Sequence, residues 1–360
     1  MLRRLLLAKL LLLFCALTFL GACANPTPSE ADFLKPTRGI RGIFEDSRGN
    51  LWFSSPDWIC RVNPSLSHEE DGRFTYFERQ NPAVIFGRIQ EDADGNLLMQ
   101  DSAGIHRFDG QQFRPHATAD YDKQTQWQKA EGDLWFGAEN SVELTEAEGK
   151  WGVYRYHNEG FSFLAFPPTP SNEQNKYYPL TSGAMQSKNG KLWFGTFEAA
   201  FGFDGNDFDF IGRERMGRAN DPRHIGIRGY LLDSRDNLWM ADNGAGVYVF
   251  DGHEVIHFTA VHNLREEDTE GPSLHRSFSL GEDSDGNIWI GTAYSGIWRY
   301  TPSASDPLGK GTFTNFTADT GGPEGMVWTM HPTKSGNLLF GTEEPSGVYK
   351  FDGSRFQRVY

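Results

Sequence analysis

The sequence predicts an all-β fold, a seven-bladed β-propeller of four-stranded antiparallel blades, on three observations. One phrase recurs seven times, anchored at Trp52, Leu98, Trp135, Trp193, Trp239, Trp289 and Leu339. Successive anchors stand 46, 37, 58, 46, 50 and 50 residues apart, and a period of about 40–50 residues marks a solenoid, propeller or array. Each copy carries a tight-turn phrase ahead of its anchor and aromatic or β-branched runs around it, while no 3.6-residue apolar period persists beyond the N-terminal segment. One such sheet cannot bury both its faces. Stacked radially, each face meets the next blade and closure hides the ends. A stack of β-sandwiches is the competing architecture.

The chain opens on a different kind of segment. Arg3 and Arg4 precede an apolar run from Leu5 to Leu20, followed by Gly21-Ala22-Cys23. A basic start, an apolar run and small residues before a cut site make a secretory signal, and the run is short for a bilayer span. A cysteine directly after the small pair resembles a bacterial lipobox. That resemblance implies a signal peptide over 1–22 and a lipidated Cys23 as the first mature residue. Residues 23–38, with Ala-Asn-Pro-Thr-Pro-Ser-Glu, read as the lipidated cysteine and a flexible tether, leaving 39–360 for the propeller.

The formal charge is −14, and loss of Arg3, Arg4 and Lys9 with the signal takes it to −17. Such a chain is repelled by nucleic acid and by anionic lipid surfaces. The lipid is therefore expected to hold it to the membrane, and no nucleic-acid partner is expected. Cys15 leaves with the signal and Cys23 carries lipid, so Cys60 remains alone and no internal disulfide forms. Stability must come from a large core.

Within each repeat the elements follow in order. A first strand is visible in Ile40-Arg41-Gly42-Ile43-Phe44. A turn follows, written DSRGN, DADGN, SKNGK, DSRDN, DSDGN or TKSGN. Gly and Asn accept positive φ and Asp bonds its own backbone, so these phrases favour tight hairpins. They lack the distal Glu of a calcium loop. The second strand is LWF, LWM, IWI or LLF, the third resembles GVYVFDG, and the fourth is short and aromatic, as in FTYF, FDFIG, FTNF and FQRVY. The third copy is the least regular, with 140–151 inserted between its second and third strands. A count of six or eight blades turns on that copy. Each blade reads as one contiguous repeat with no strand exchanged across the seam, although Ala31 to Leu34 could add an outer strand to the last blade.

Ile40-Arg41-Gly42-Ile43-Phe44-Glu45-Asp46 with Gly49 and Leu51-Trp52, and Glu282-Asp283 with Gly286, Trp289-Ile290-Gly291-Thr292 and Gly296 to Tyr300, resemble the two-component-regulator propeller repeat. The resemblance covers about 39–360. It implies the propeller fold and an extracytoplasmic sensor role, often toward glycans. The usual plan of that family, a sensor half joined to a hybrid histidine kinase, is not expected here, since a single propeller follows a lipid anchor. A more distant resemblance is to streptogramin lyases, seven-bladed propellers that use a histidine and acidic residues with a divalent metal. His224, His257, His262, His275 and His331 are scattered in this chain without a compact metal spacing.

Geometry selects one rim for binding. Second-to-third-strand loops and blade-to-blade connections share it, and it collects the inserts 115–124, 138–151, 167–181, 212–226, 259–276 and 317–325. Long loops on a rigid scaffold carry function. Near the axis on this rim fall Asp57, Asp101, Glu139, Glu198, Asp242, Glu343 and Glu344, with Tyr294 in the sixth blade. The innermost strands begin with Arg41, Arg88, Arg228, Phe278 and Trp328. Arginine supplies planar donor forks and aromatic rings supply stacking. Together they suit a polar ligand with an apolar face. Arg41, Asp57, Arg88, Asp101, Arg228, Asp242, Tyr294, Trp328 and Glu343 are therefore the candidate ligand-binding residues. The anchor tryptophans should fill the blade cores, while Trp58, Trp151 and Trp328 are expected nearer the surface.

The function expected is a lipid-anchored, envelope-exposed binding or sensor module for a glycan, peptide or partner protein, with no catalytic residue. The alternatives are a metal-dependent lyase or hydrolase, with a divalent cation held at the funnel by acidic loop ends and His275 or His331, and an envelope scaffold. Ala24 follows Cys23, where an Asp would have suggested inner-membrane retention, and analogy with the family implies the outer membrane.

Overall fold

A computed structural model describes residues 34–35, 37–66, 72–79, 88–101, 103–116, 132–137, 152–167, 180–264 and 273–360. The signal segment, Cys23, most of the tether, Glu139 and Trp151 lie outside the described residues, as does most of 31–34.

Seven antiparallel sheets follow one another along the chain, at 42–78, 90–115, 134–165, 185–211, 227–257, 277–316 and 326–358. They are the blades of a seven-bladed propeller. Six have four strands in simple sequence order, and the third has three among the described residues. Among the described residues every blade is contiguous and no strand is exchanged across the seam. At the seam Ile40 N–H donates to the Thr342 carbonyl at 3.0 Å. The Tyr360 ring lies 5.1 Å from Phe53 and 6.0 Å from Phe74, with the Arg73 guanidinium 5.2 Å from its centroid.

The hairpin phrase has a common internal wiring. In the first blade the Asp46 carboxylate accepts the Arg48 and Asn50 backbone N–H groups, the Asn50 side-chain amide and the Trp52 indole N–H, the last at 2.9 Å. Asp233 does the same for Arg235, Asn237 and Trp239, and Asp283 for Asp285, Asn287 and Trp289. The aspartate six residues before the anchor thus satisfies the turn and fixes the indole, whose N–H would otherwise be buried unpaired. The anchored rings then fill the joints between blades. Trp52 meets Phe108 at 5.2 Å, Trp193 meets Phe250 at 5.6 Å, and Trp289 meets Phe340 at 5.3 Å. All five anchor tryptophans are buried.

In the sixth and seventh blades the glycine two residues after the anchor admits the neighbouring inner strand. A Cβ on Gly291 would lie 2.8 Å from the Val327 Cβ, and one on Gly341 would lie 3.0 Å from Ile40. In the third blade the inner edge of Leu134–Gly137 is met by side chains. The Gln90 amide brackets Trp135 backbone N–H and carbonyl, and the Gln100 amide brackets those of Gly137.

Trp58 departs from its expected exposure. It opens the third strand, Trp58–Val62, where its ring packs edge-on against Tyr76 at 5.2 Å and retains 5% of its exposure. Among the described residues the rim connections include a helical turn, Phe258–Val261, and a 3-10 turn, Ala318–Thr320.

Candidate ligand-binding rim

Three inner strands carry the same irregularity at the same place. The register between first and second strands shifts between Ile227 and Gly229, between Ser277 and Ser279, and between Val327 and Thr329. The extra residues are Arg228, Phe278 and Trp328. A β-bulge turns its residue out of the alternation of the strand, so three consecutive blades re-aim one side chain each at the same level of the rim.

The bulge residues form a continuous ladder. The Arg41 guanidinium lies 3.5 Å over the Trp328 ring. Trp328 meets Phe278 edge-on at 5.0 Å. Arg228 lies 5.8 Å from Phe278 and 4.2 Å over Phe197 of the fourth blade. Glu343 clamps one end, accepting from Arg41 Nη2 at 2.9 Å and from the Trp328 indole N–H. Five blades contribute to this line. Burial lowers the Arg41 pKa, Glu343 opposes that fall, and Arg38 and Arg228 add to it by charge repulsion. Four predicted site residues, Arg41, Arg228, Trp328 and Glu343, are brought together here with Phe278. Phe197 had no distinguishing signal in the sequence, and the bulges had none either.

The other candidates fall elsewhere. Asp57 is exposed and accepts from Thr37 Oγ1 at 2.6 Å and from Arg38. Arg88 opens onto the central channel and donates to the Thr181 carbonyl at 3.4 Å. It lines a cavity of about 360 Å³ with Gln90, Asp133, Trp135 and His331. Burial pushes His331 down to about 4, opposed by Glu45 and reinforced by Arg88. Tyr294 is 73% exposed at the mouth of a groove of about 660 Å³ that runs along Thr317, Asp319, Pro323 and Glu324. Arg276 approaches its ring at 5.7 Å.

Asp101 and Asp242 are turned inward instead of facing the rim. Asp101 is buried beside His106, 3.5 Å away. Asp242 is fully buried, 2.8 Å from Arg218 Nη1, and Arg218 also holds Asp221. Burial raises the Asp242 carboxyl above its ordinary range against the pull of Arg218. This pair, with Arg213 donating to the carbonyls of Asp221 and Arg223, pins the 212–226 rim loop to the fifth blade. Asp101 and Asp242 therefore do not join Glu343, and among the described residues no three His, Cys, Asp or Glu side chains are grouped to hold a metal ion.

Residues 35–57 and 271–294 match the two component regulator propeller family. Both segments contain the first hairpin of a blade, that of the first blade and that of the sixth. No curated protein matches the chain in sequence. Among solved structures, a streptogramin B lyase is similar at 15% identity and a TM-score of 0.58, over 91% of this chain and 96% of that one. The WD40 propeller domain of Doa1 is similar at 10% identity and a TM-score of 0.55, over 89% and 95%. The extracellular domain of a hybrid two component system from B. thetaiotaomicron aligns at 17% identity and a TM-score of 0.40, over 91% of this chain and 46% of that one. At these identities the likeness is one of fold. Among the described residues no helix is long and apolar enough to cross a membrane.

Proposed function

We propose that the protein is an extracytoplasmic binding or sensor module, anchored by lipid at Cys23, that recognises a glycan, peptide or partner protein through its long-loop rim. The observation that carries this reading is the triple bulge. Arg228, Phe278 and Trp328 are re-aimed at one level by three blades, and bulges recur where a fold directs a side chain to a site. Stacked guanidinium groups and rings offer planar donors beside apolar faces, the combination that reads a polar ligand with a flat apolar side. The match to the two component regulator propeller supports the sensor role.

The experiment is a binding screen of the full chain against glycan and peptide arrays and envelope extracts, repeated with Trp328→Ala. A ligand whose retention drops at least about tenfold in the variant is expected, the size typical of a central aromatic anchor. Blank arrays and extracts would remove the reading. The anchor is tested separately in cells by labelling with a palmitate analogue. The label should appear in the membrane fraction and vanish in Cys23→Ser, and a labelled Cys23→Ser protein would refute lipidation at that residue.

A further inference from the structure

We propose that the central channel holds a second binding site, in which Arg88 receives the oxyanion of a small organic acid, a carboxylate or a phosphate monoester. The site is separate from the rim ladder and stands or falls without it.

The guanidinium is open. Arg88 is exposed, and what it faces is a cavity of about 360 Å³ enclosed by the surrounding blades. Among the described residues its one hydrogen bond is long, from Nη2 to the Thr181 carbonyl at 3.4 Å, and no carboxylate pairs with it. Enclosure lowers its pKa, with no neighbouring charge opposing the fall. A cation surrounded by protein without a counter-ion is unfavourable. An incoming oxyanion supplies that partner through the free N–H edges of the fork.

The position of Arg88 is otherwise reserved for small residues. Four residues before the hairpin aspartate or its equivalent, six blades place Gly42, Arg88, Gly183, Gly229, Ser279 and Thr329. Small side chains suit a place where the next inner strand comes close. Ser279 Oγ donates to the Val327 carbonyl at 2.7 Å, and a Cβ on Gly229 would lie 2.7 Å from the Phe278 carbonyl oxygen. Arg88 instead reaches past the third blade to Thr181, at the entry to the fourth.

The rest of the wall suits an acid with an apolar body. Phe44, Ala184 and Met330 line it, and His331 adds a ring that burial keeps neutral, so it offers a hydrogen bond without charge. The acids of the wall are engaged elsewhere. Glu91 accepts the Ser47 N–H at 2.7 Å and its hydroxyl at 2.6 Å. Asp133 is held by Arg155 at 2.9 Å and His157 at 2.8 Å. The volume falls within the range of small-molecule sites, about 300–1,000 Å³.

Full-chain protein is titrated calorimetrically with benzoate, with phenyl phosphate and with the neutral benzamide. At least one anion should bind about tenfold more tightly than benzamide, the size of one charge-assisted hydrogen bond. The tighter of the two tells carboxylate from phosphate. Arg88→Gln should abolish the preference and melt no lower than the parent, since it removes an enclosed, unpaired charge. Gly183→Leu is the second variant. A Cβ there meets nothing within 4 Å and the backbone is not left-handed, so the new side chain fills the cavity without disturbing the fold and should abolish binding of both anions. Trp328→Ala should leave that binding intact. Equal affinity for the anions and benzamide, no binding of either anion at millimolar concentration, or a preference that survives Arg88→Gln or Gly183→Leu overturns the proposal. Anion binding lost in Trp328→Ala would place the site on the rim and overturn it as well.

Discussion

The Glu45 carboxylate accepts the backbone N–H of Lys334 at 2.7 Å, joining the first blade to the hairpin of the seventh. Glu91 makes the same bond to Ser47 at 2.7 Å, and Glu282 makes it to Ser234 at 2.7 Å. The two acids of the Glu-Asp pair thus divide the work. The aspartate wires its own hairpin, while the glutamate clasps the tip of the preceding one. At the seam this repeated contact takes the place of an exchanged strand, and Lys334 Nζ adds a bond to the Asp46 carbonyl at 2.7 Å.

Glu45→Gln should loosen the seam locally. A charge-assisted bond near solvent contributes about 0.5–1 kcal/mol, so global stability should fall by no more than that. Hydrogen exchange reads the effect directly, with the Lys334 amide losing protection while the Ser234 amide keeps its own. Equal change at both amides would mean the clasp does not act at the seam.

Asp233→Ala removes the acceptor of four donors, one of them the buried Trp239 indole. A loss of about 2–4 kcal/mol is expected. Asp92 wires its hairpin in the same way, but its anchor is Leu98, which has no donor. Asp92→Ala should therefore cost about 1–2 kcal/mol less. Denaturant unfolding of the two variants decides it, and equal losses would show that the indole bond adds nothing.

The blade count and hairpins were legible because Gly49, Gly286 and Gly336 sit at positive φ at the same place in related phrases, and the anchors recur at similar spacing. Arg41, Arg228, Trp328 and Glu343 were legible as a rim set because they recur at equivalent strand ends. Their convergence was not, since a bulge adds one residue without changing the local alphabet. Asp101 and Asp242 were misplaced for a related reason. Their second strands run to Leu97–Asp101 and Leu238–Asp242, so each acid still lies within its sheet. Tyr294 follows a strand that stops at Thr292, and it faces solvent.

His331 makes stability fall in acid. Its folded pKa, near 4, lies below the ordinary value of 6.5 because burial disfavours the cation; Glu45 opposes and Arg88 reinforces that effect. The folded state therefore binds fewer protons than the unfolded one. The contribution is present above pH about 6.5 and is lost as pH falls toward about 4, up to about 3 kcal/mol at 1.36 kcal/mol per unit. His331→Asn should flatten this part of the profile. Parallel profiles for the two proteins between pH 7 and 4 would contradict the assignment.

The fifth blade breaks the clasp pattern, and the break is compensated nearby. The position of Glu45 and Glu282 is held there by Leu232, which pairs with Leu238 as Glu282 pairs with Ile288. Yet the fourth-blade hairpin is still clasped, because Asp236 Oδ1 accepts the Lys188 N–H at 2.9 Å. Asp236 occupies the turn position that is glycine in the first and sixth blades and takes φ of 74°. A non-glycine residue there is strained by about 1 kcal/mol. Asp236→Gly alone should relieve that strain and lose the clasp, for a net change within about 1 kcal/mol of zero. Leu232→Glu alone sets two carboxylates to compete for one N–H and should destabilise. Combined, L232E and D236G restore the repeat phrase, so the pair should be more stable than the sum of the single changes by about 1 kcal/mol. A double-mutant cycle measured by denaturant unfolding reads this coupling. A value indistinguishable from zero would mean that the carboxylate of Asp236 does not stand in for the missing glutamate.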